Sequence, residues 1–223
     1  MESNSKQGPA PTSETAESRG QLSMRQVLKR HSSALHQKLD ALPALRCLLK
    51  AGISPPDYCR TLNRYALAYE SVEGDVRSLE KKVWLGNVPP YTPRLPALKH
   101  DLDELDRWNV ISRKGWPLRL RRRPMRTEWQ YWGARYVLDG ATQGSKFIAL
   151  ELRNHMPQLV SRAFAFWELQ LRLAQEWTLV CERLAQNAPE GLARQEMLDG
   201  ADIAFHTFIS HFDSIETEGE EVV

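Results

Sequence analysis

From Leu22 to Asp213 the apolar residues recur at steps of three and four, and nowhere do they alternate long enough to make a half-buried strand. The pattern predicts a first helix over 22–41 that stops near Pro43. A second follows "SPPDY", with Tyr58, Leu62, Tyr65 and Tyr69 on one face, and runs toward Leu79 or Val83. After the proline-rich "NVPPYTPRLP", a helix over 96–108 turns Leu98, Leu102 and Leu105 inward. Residues 110–127 read as a long loop. Helices over 128–153, 159–187 and 190–213 complete the chain. The expectation is an all-α, compact single domain over residues 22–215, with no internal repeat.

Residues 1–21 are rich in Ser, Glu, Pro and Gly and nearly free of large apolar groups. They cannot bury enough surface to offset the entropy of ordering and read as a disordered leader. Residues 216–223 read as a short acidic tail. A net charge of +2 excludes a global field of the kind that marks nucleic-acid binders. Three cysteines, Cys47, Cys59 and Cys181, show neither CxxC nor zinc-finger spacing, which together with the lack of a signal-peptide core points to a cytoplasmic protein. There is no uncharged apolar run of 18 residues, so no membrane span is expected.

One stretch breaks the helical rules. "GARYVLDGATQGSKF" carries Gly133, Gly140 and Gly144 inside a helix, where each glycine costs roughly 1 kcal/mol relative to alanine. At 100° per residue the three fall within about 40° of one another. Trp129, Tyr136, Val137, Gln143 and Phe147 share or flank that face. Ala134, Ala141, Ser145, Ile148 and Leu152 form a second stripe suited to core packing. Close helix packing and a flat ligand lying on bare backbone both satisfy the pattern, and the glycines alone leave both open. A membrane GxxxG dimer does not satisfy it, because Arg135, Asp139 and Lys146 lie in the same segment.

The first helix separates the two. Its core stripe is Leu28, Leu35, Leu39 and Leu42, and beside it runs a polar stripe of Arg25, Lys29, Ser32 and His36. His36 borders the apolar interior, with cations about 10–16 Å away along the axis on the same side. A ligand with a metal at its centre and carboxylates at its edge wants this layout, and haem is such a ligand. Of six histidines, His36 alone joins a core border to a cationic stripe. His31 lies about 140° around the same helix.

At these stretches the sequence resembles the haem oxygenase family, in particular its bacterial, phytochrome-associated, biliverdin-producing branch. The resemblance is carried by "LKRHSSALHQKLD", "RLPALKHDLDELD", "GARYVLDGATQGSKFI", "FAFWELQLRLAQEWTLVCERL" and "GADIAFHTFISHF", in that order. It implies haem sandwiched between the first, proximal helix and a glycine-kinked distal helix. His36 matches the proximal iron ligand, Lys29 a propionate-binding base, and Gly140 and Gly144 the distal glycines that approach haem and bound oxygen. Arg25 and Tyr136 join this haem-binding set. Three departures stand out: Ser145 replaces the second glycine of the usual pair, Ala141 stands where many animal-type members have an aspartate, and Asp139 precedes Gly140 instead.

The resemblance implies cleavage of haem, at once substrate and cofactor, to biliverdin, carbon monoxide and ferrous iron, using O₂ and an external electron donor. No GxGxxG fingerprint supplies an internal nicotinamide or flavin site. The cluster "RKGWPLRLRRRPMR" reads either as solvated surface or as a docking patch at Arg119, Arg121, Arg122 and Arg123 for an acidic donor such as a ferredoxin. A nucleic-acid site would use the neighbouring tryptophans, but the balanced charge and absence of a motif argue against it. A bacteriophytochrome is the implied recipient of biliverdin. Ala141 and Ser145 keep open a catalytically inactive relative that binds haem as a regulatory or interaction protein. A haem-free di-iron oxidase is not expected, because paired Glu-x-x-His motifs are missing.

Overall fold

A computed structural model describes residues 22–50, 52–108, 123–187 and 189–213. The leader, the acidic tail and most of the arginine cluster, including Arg119, Arg121 and Arg122, lie outside the described residues. Within them the protein is all-α, with ten helices: α1 Met24–His31, α2 Ser33–Ala41, α3 Pro43–Arg46, α4 Pro55–Glu80, α5 Leu95–Arg107, α6 Glu128–His155, α7 Pro157–Val160, α8 Ala165–Leu173, α9 Trp177–Gln186 and α10 Gly191–Asp213. A 3-10 turn, Cys47–Leu49, follows α3. No helix among the described residues is long and apolar enough to cross a membrane.

Helix starts follow local chemistry. Ser23 and Gln26 form a reciprocal capping box at α1. Ser54 caps α4 ahead of Pro55 and Pro56, whose missing N–H groups cost nothing at a first turn. Thr127 caps α6 through the backbone N–H of Gln130.

Two expected helices are subdivided. The first is interrupted at Ser32, whose buried hydroxyl donates to Leu28 O at 2.8 Å and whose backbone leaves helical geometry. The expected helix over 159–187 is three shorter ones. Phe164 takes φ −139°, ψ 6°, which ends the helical path, and α8 restarts under Asp101 of α5. That fully buried carboxylate accepts the backbone N–H groups of Ala165 and Phe166, each at 2.8 Å, and so caps α8 from a distant helix.

The core lies where α4, α8 and α10 meet. Tyr65, Tyr69, Phe166, Trp167, Phe208 and Phe212 interlock there, mostly edge to face. Tyr58 donates to Ala163 O and accepts from the Trp167 indole, so the buried polar tips are satisfied. Leu98, Leu102 and Leu105 are buried on α5 as the periodicity predicts.

α6 packs most extensively against α10, and glycine makes the crossing possible. A side-chain carbon at Gly133 would meet Met197 O at 1.9 Å, and one at Gly200 would meet Gln130 O at 2.1 Å. Gly133 therefore serves helix packing, although by angle it shares a face with Gly140 and Gly144.

Candidate functional site

A cavity of about 520 Å³ opens between α2 and α6, within the range of small-molecule and cofactor sites. His36 lines one side, and Gly140 and Gly144 line the other. Tyr65, Gln170 and Phe208 line it from the core, while Leu49 and Phe147, both largely exposed, line it from the surface.

His36 Nδ1 lies 2.8 Å from the carboxylate of Asp40, one turn on in α2. With Nδ1–H donated to that carboxylate, Nε2 carries the free lone pair, and the ring is further oriented by an edge contact with Phe205 at 6.0 Å. A carboxylate-anchored imidazole of this kind suits a metal carried in by a planar ligand. Among the described residues no cluster of three or more His, Cys, Asp or Glu could itself hold an ion. Other histidines are engaged away from the cavity: His31 pairs with Asp202 at 2.9 Å, and His211 lies 3.2 Å from the Ser71 hydroxyl.

The opposite wall behaves as bare backbone. A side-chain carbon at Gly144 would meet nothing within 4 Å, whereas one at Gly140 would touch the Trp177 indole at 3.4 Å. Trp177, at the start of α9, also packs on Tyr136 with ring centroids 5.7 Å apart. Burial raises the Tyr136 phenol pKa, with the Ser32 hydroxyl and the Arg25 charge acting the other way. Ala141, expected in the packing stripe, is exposed and lines the cavity. Ser145 also lines it, but its hydroxyl turns back to Ala141 O at 3.0 Å, so little polar volume projects from that position.

The residues expected to bind a carboxylate edge are distributed differently. Arg25 and Lys29 are exposed on α1, and neither lines the cavity; Lys29 lines a separate shallow one with Gln26, Arg30 and Ser33. Arg25 comes near through its charge on Tyr136. The arginine in the cavity wall is Arg46, exposed at the end of α3. Arg123 is paired with Asp199 at 3.1 Å. Asp139 does not line the cavity: both of its oxygens are held by arginines on the far side of α6.

Sequence reading missed Asp40, Arg46 and Trp177. Asp40 had a signal in its i, i+4 spacing from His36 on a helix. Arg46 and Trp177 had none, because α3 and α9 reach the cavity only through tertiary packing.

Fold and site together define an all-α protein with a ligand cavity, flanked by an anchored histidine and a glycine-lined helix. The family model described as Heme oxygenase matches residues 22–214, and the chain belongs to that family. Among curated proteins, none matches it significantly.

Proposed function

We propose that the protein is an active haem oxygenase that cleaves haem to biliverdin, carbon monoxide and ferrous iron, using O₂ and electrons from an external donor. The observation that carries this reading is His36, anchored by Asp40, facing Gly140 and Gly144 across the cavity. Haem, when bound, supplies both the iron that activates oxygen and the porphyrin ring that is oxidised.

The chain's own part is to hold and to exclude. His36 Nε2 would hold the iron, and Asp40 would keep the imidazole in the required tautomer and orientation. Gly140 and Gly144 would leave their stretch of the cavity wall free of side chains and admit backbone close to the bound group. Tyr136, Val137 and Phe208 form apolar walls that shield the site from bulk water. Arg25 and Lys29 are the bases proposed for the propionates at the α1 end, with Arg46 a further cation at the α3 end. An acidic donor such as a ferredoxin docking at Arg119, Arg121, Arg122 and Arg123, and a bacteriophytochrome receiving biliverdin, belong to the same reading, as does assignment to the bacterial branch.

A haem-binding protein without turnover is the second reading. It is favoured by Ala141 together with Asp139 turned away, which leaves no carboxylate on the glycine wall. Haemin added to the protein and followed by ascorbate or a reduced ferredoxin decides between them. Decay of the Soret band with growth of a red-absorbing biliverdin band is expected. A Soret band that persists through reduction in air overturns the enzyme.

A further inference from the structure

Behind the glycine wall, α6 carries a buried ionic cluster that ligand binding does not use. Asp139 Oδ1 accepts from Arg94 Nη2 at 2.6 Å, and Oδ2 accepts from Arg135 Nε. Both arginines are 1% exposed and Asp139 is 6% exposed. Arg94 is itself fixed: it stands in "TPRLP", its backbone N–H donates to Glu73 of α4, and its Nη1 donates to Thr92 O at 2.6 Å. Arg135 reaches Pro89 O at 3.1 Å and the Tyr131 hydroxyl at 2.6 Å. Asp139 thus ties α6 to α4 and to the segment leading into α5.

Stability alone is a poor reason for such a cluster. Desolvation of buried charges largely offsets their attraction, and apolar packing of equal volume often serves as well. What two rigid forks on one carboxylate do supply is direction. Asp139 and Gly140 are adjacent, so they point about 100° apart around the helix. Fixing the carboxylate on the far side fixes the rotation at which Gly140 meets the cavity. A turn of α6 by one residue step would swing Asp139 toward that wall and Gly140 off it. Gly140 already has little slack, with Trp177 at contact distance from the place of a side-chain carbon.

We infer that Asp139 is a positioning residue: gripped by Arg94 and Arg135, it sets the rotation of α6 that presents Gly140 and Gly144 to the ligand. The ligand's identity as haem rests on the function proposed above, whereas the grip is a property of the haem-free protein.

The test compares wild type with Asp139→Asn and with the double variant Asp139→Leu/Arg94→Met, whose apolar pair keeps the site filled. Each is followed by hydrogen exchange of the haem-free protein and, after loading with haemin, by cyanide affinity and by the CO stretch of the reduced complex. The expected result is faster exchange confined to residues 138–146, an intact His36-ligated Soret band, a shifted or split CO stretch, and cyanide affinity changed by about tenfold or more. The double variant shows these changes even where its melting temperature matches wild type, which separates positioning from stability. Wild-type exchange, CO stretch and cyanide affinity in the double variant overturn the inference. If wild type fails to take haemin through His36, the proposed function falls. Local exchange then decides the inference alone: faster supports it, unchanged overturns it.

Discussion

His36 and Asp40 stand one turn apart on α2, with Nδ1 of the imidazole 2.8 Å from the carboxylate. In the proposed haem complex this contact would direct an exposed histidine at the cavity edge toward the iron, because it selects the tautomer and raises the basicity of the other nitrogen. Replacement Asp40→Asn should weaken haem binding by about tenfold and lower the iron–histidine stretching frequency of the reduced complex. His36→Ala should abolish the histidine-ligated spectrum, with partial recovery on adding imidazole. A wild-type spectrum in His36→Ala would exclude the assignment.

Gly133 and Gly144 should respond oppositely to the same added methyl. At Gly133 it collides with the backbone of α10, so Gly133→Ala should lower haem-free stability by about 1–3 kcal/mol. At Gly144 it enters open space, and Gly144→Ala should be neutral or stabilising by up to about 1 kcal/mol. Gly144→Leu should leave haem-free melting near wild type while impairing turnover. Thermal melting of the haem-free variants checks this; a large loss at Gly144 would make it a packing residue like Gly133.

Asp101 caps α8 across 64 and 65 positions of chain, accepting two backbone N–H groups. Burial raises its pKa, and the two N–H groups oppose that rise. Asp101→Ala would leave those donors without their acceptor, at a cost of about 2 kcal/mol or more. Asp101→Asn, which keeps one carbonyl oxygen, should lose less. Urea denaturation of wild type and both variants gives the comparison, and an Asp101→Ala midpoint equal to wild type would mean that the cap contributes nothing.

His211 of α10 predicts an acid sensitivity. Burial holds its pKa below the ordinary value of 6.5. The folded state therefore binds its proton less readily than the unfolded chain. The stability associated with neutral His211 is present above about pH 6.5 and is lost as pH falls through the folded-state value. Between about pH 7.5 and pH 5, wild type should lose more stability than His211→Gln. Identical pH slopes in urea titrations would refute the assignment.

Much of the chain's architecture was legible in its periodicity. Leu98, Leu102 and Leu105 are buried as spaced, and α4, α5, α6 and α10 begin and end within a few residues of their expected limits, because caps, prolines and three-four spacing are local. The leucine stripe beside His36 was read as one helix, but Ser32 divides it into α1 and α2, and His36 stands exposed on α2 at the cavity edge. Periodicity states which face of a helix is apolar, but not which neighbour covers it. That is why Gly133 could not be separated from Gly140 and Gly144, which share its face by angle. Only the crossing with α10 commits Gly133 to packing and leaves Gly144 open. The same holds for the break that Asp101 imposes at α8, for the approach of Trp177 and Arg46 to the cavity, and for the grip on Asp139. Each joins residues tens of positions apart, and chain closure on that scale is decided by packing the whole set of helices at once.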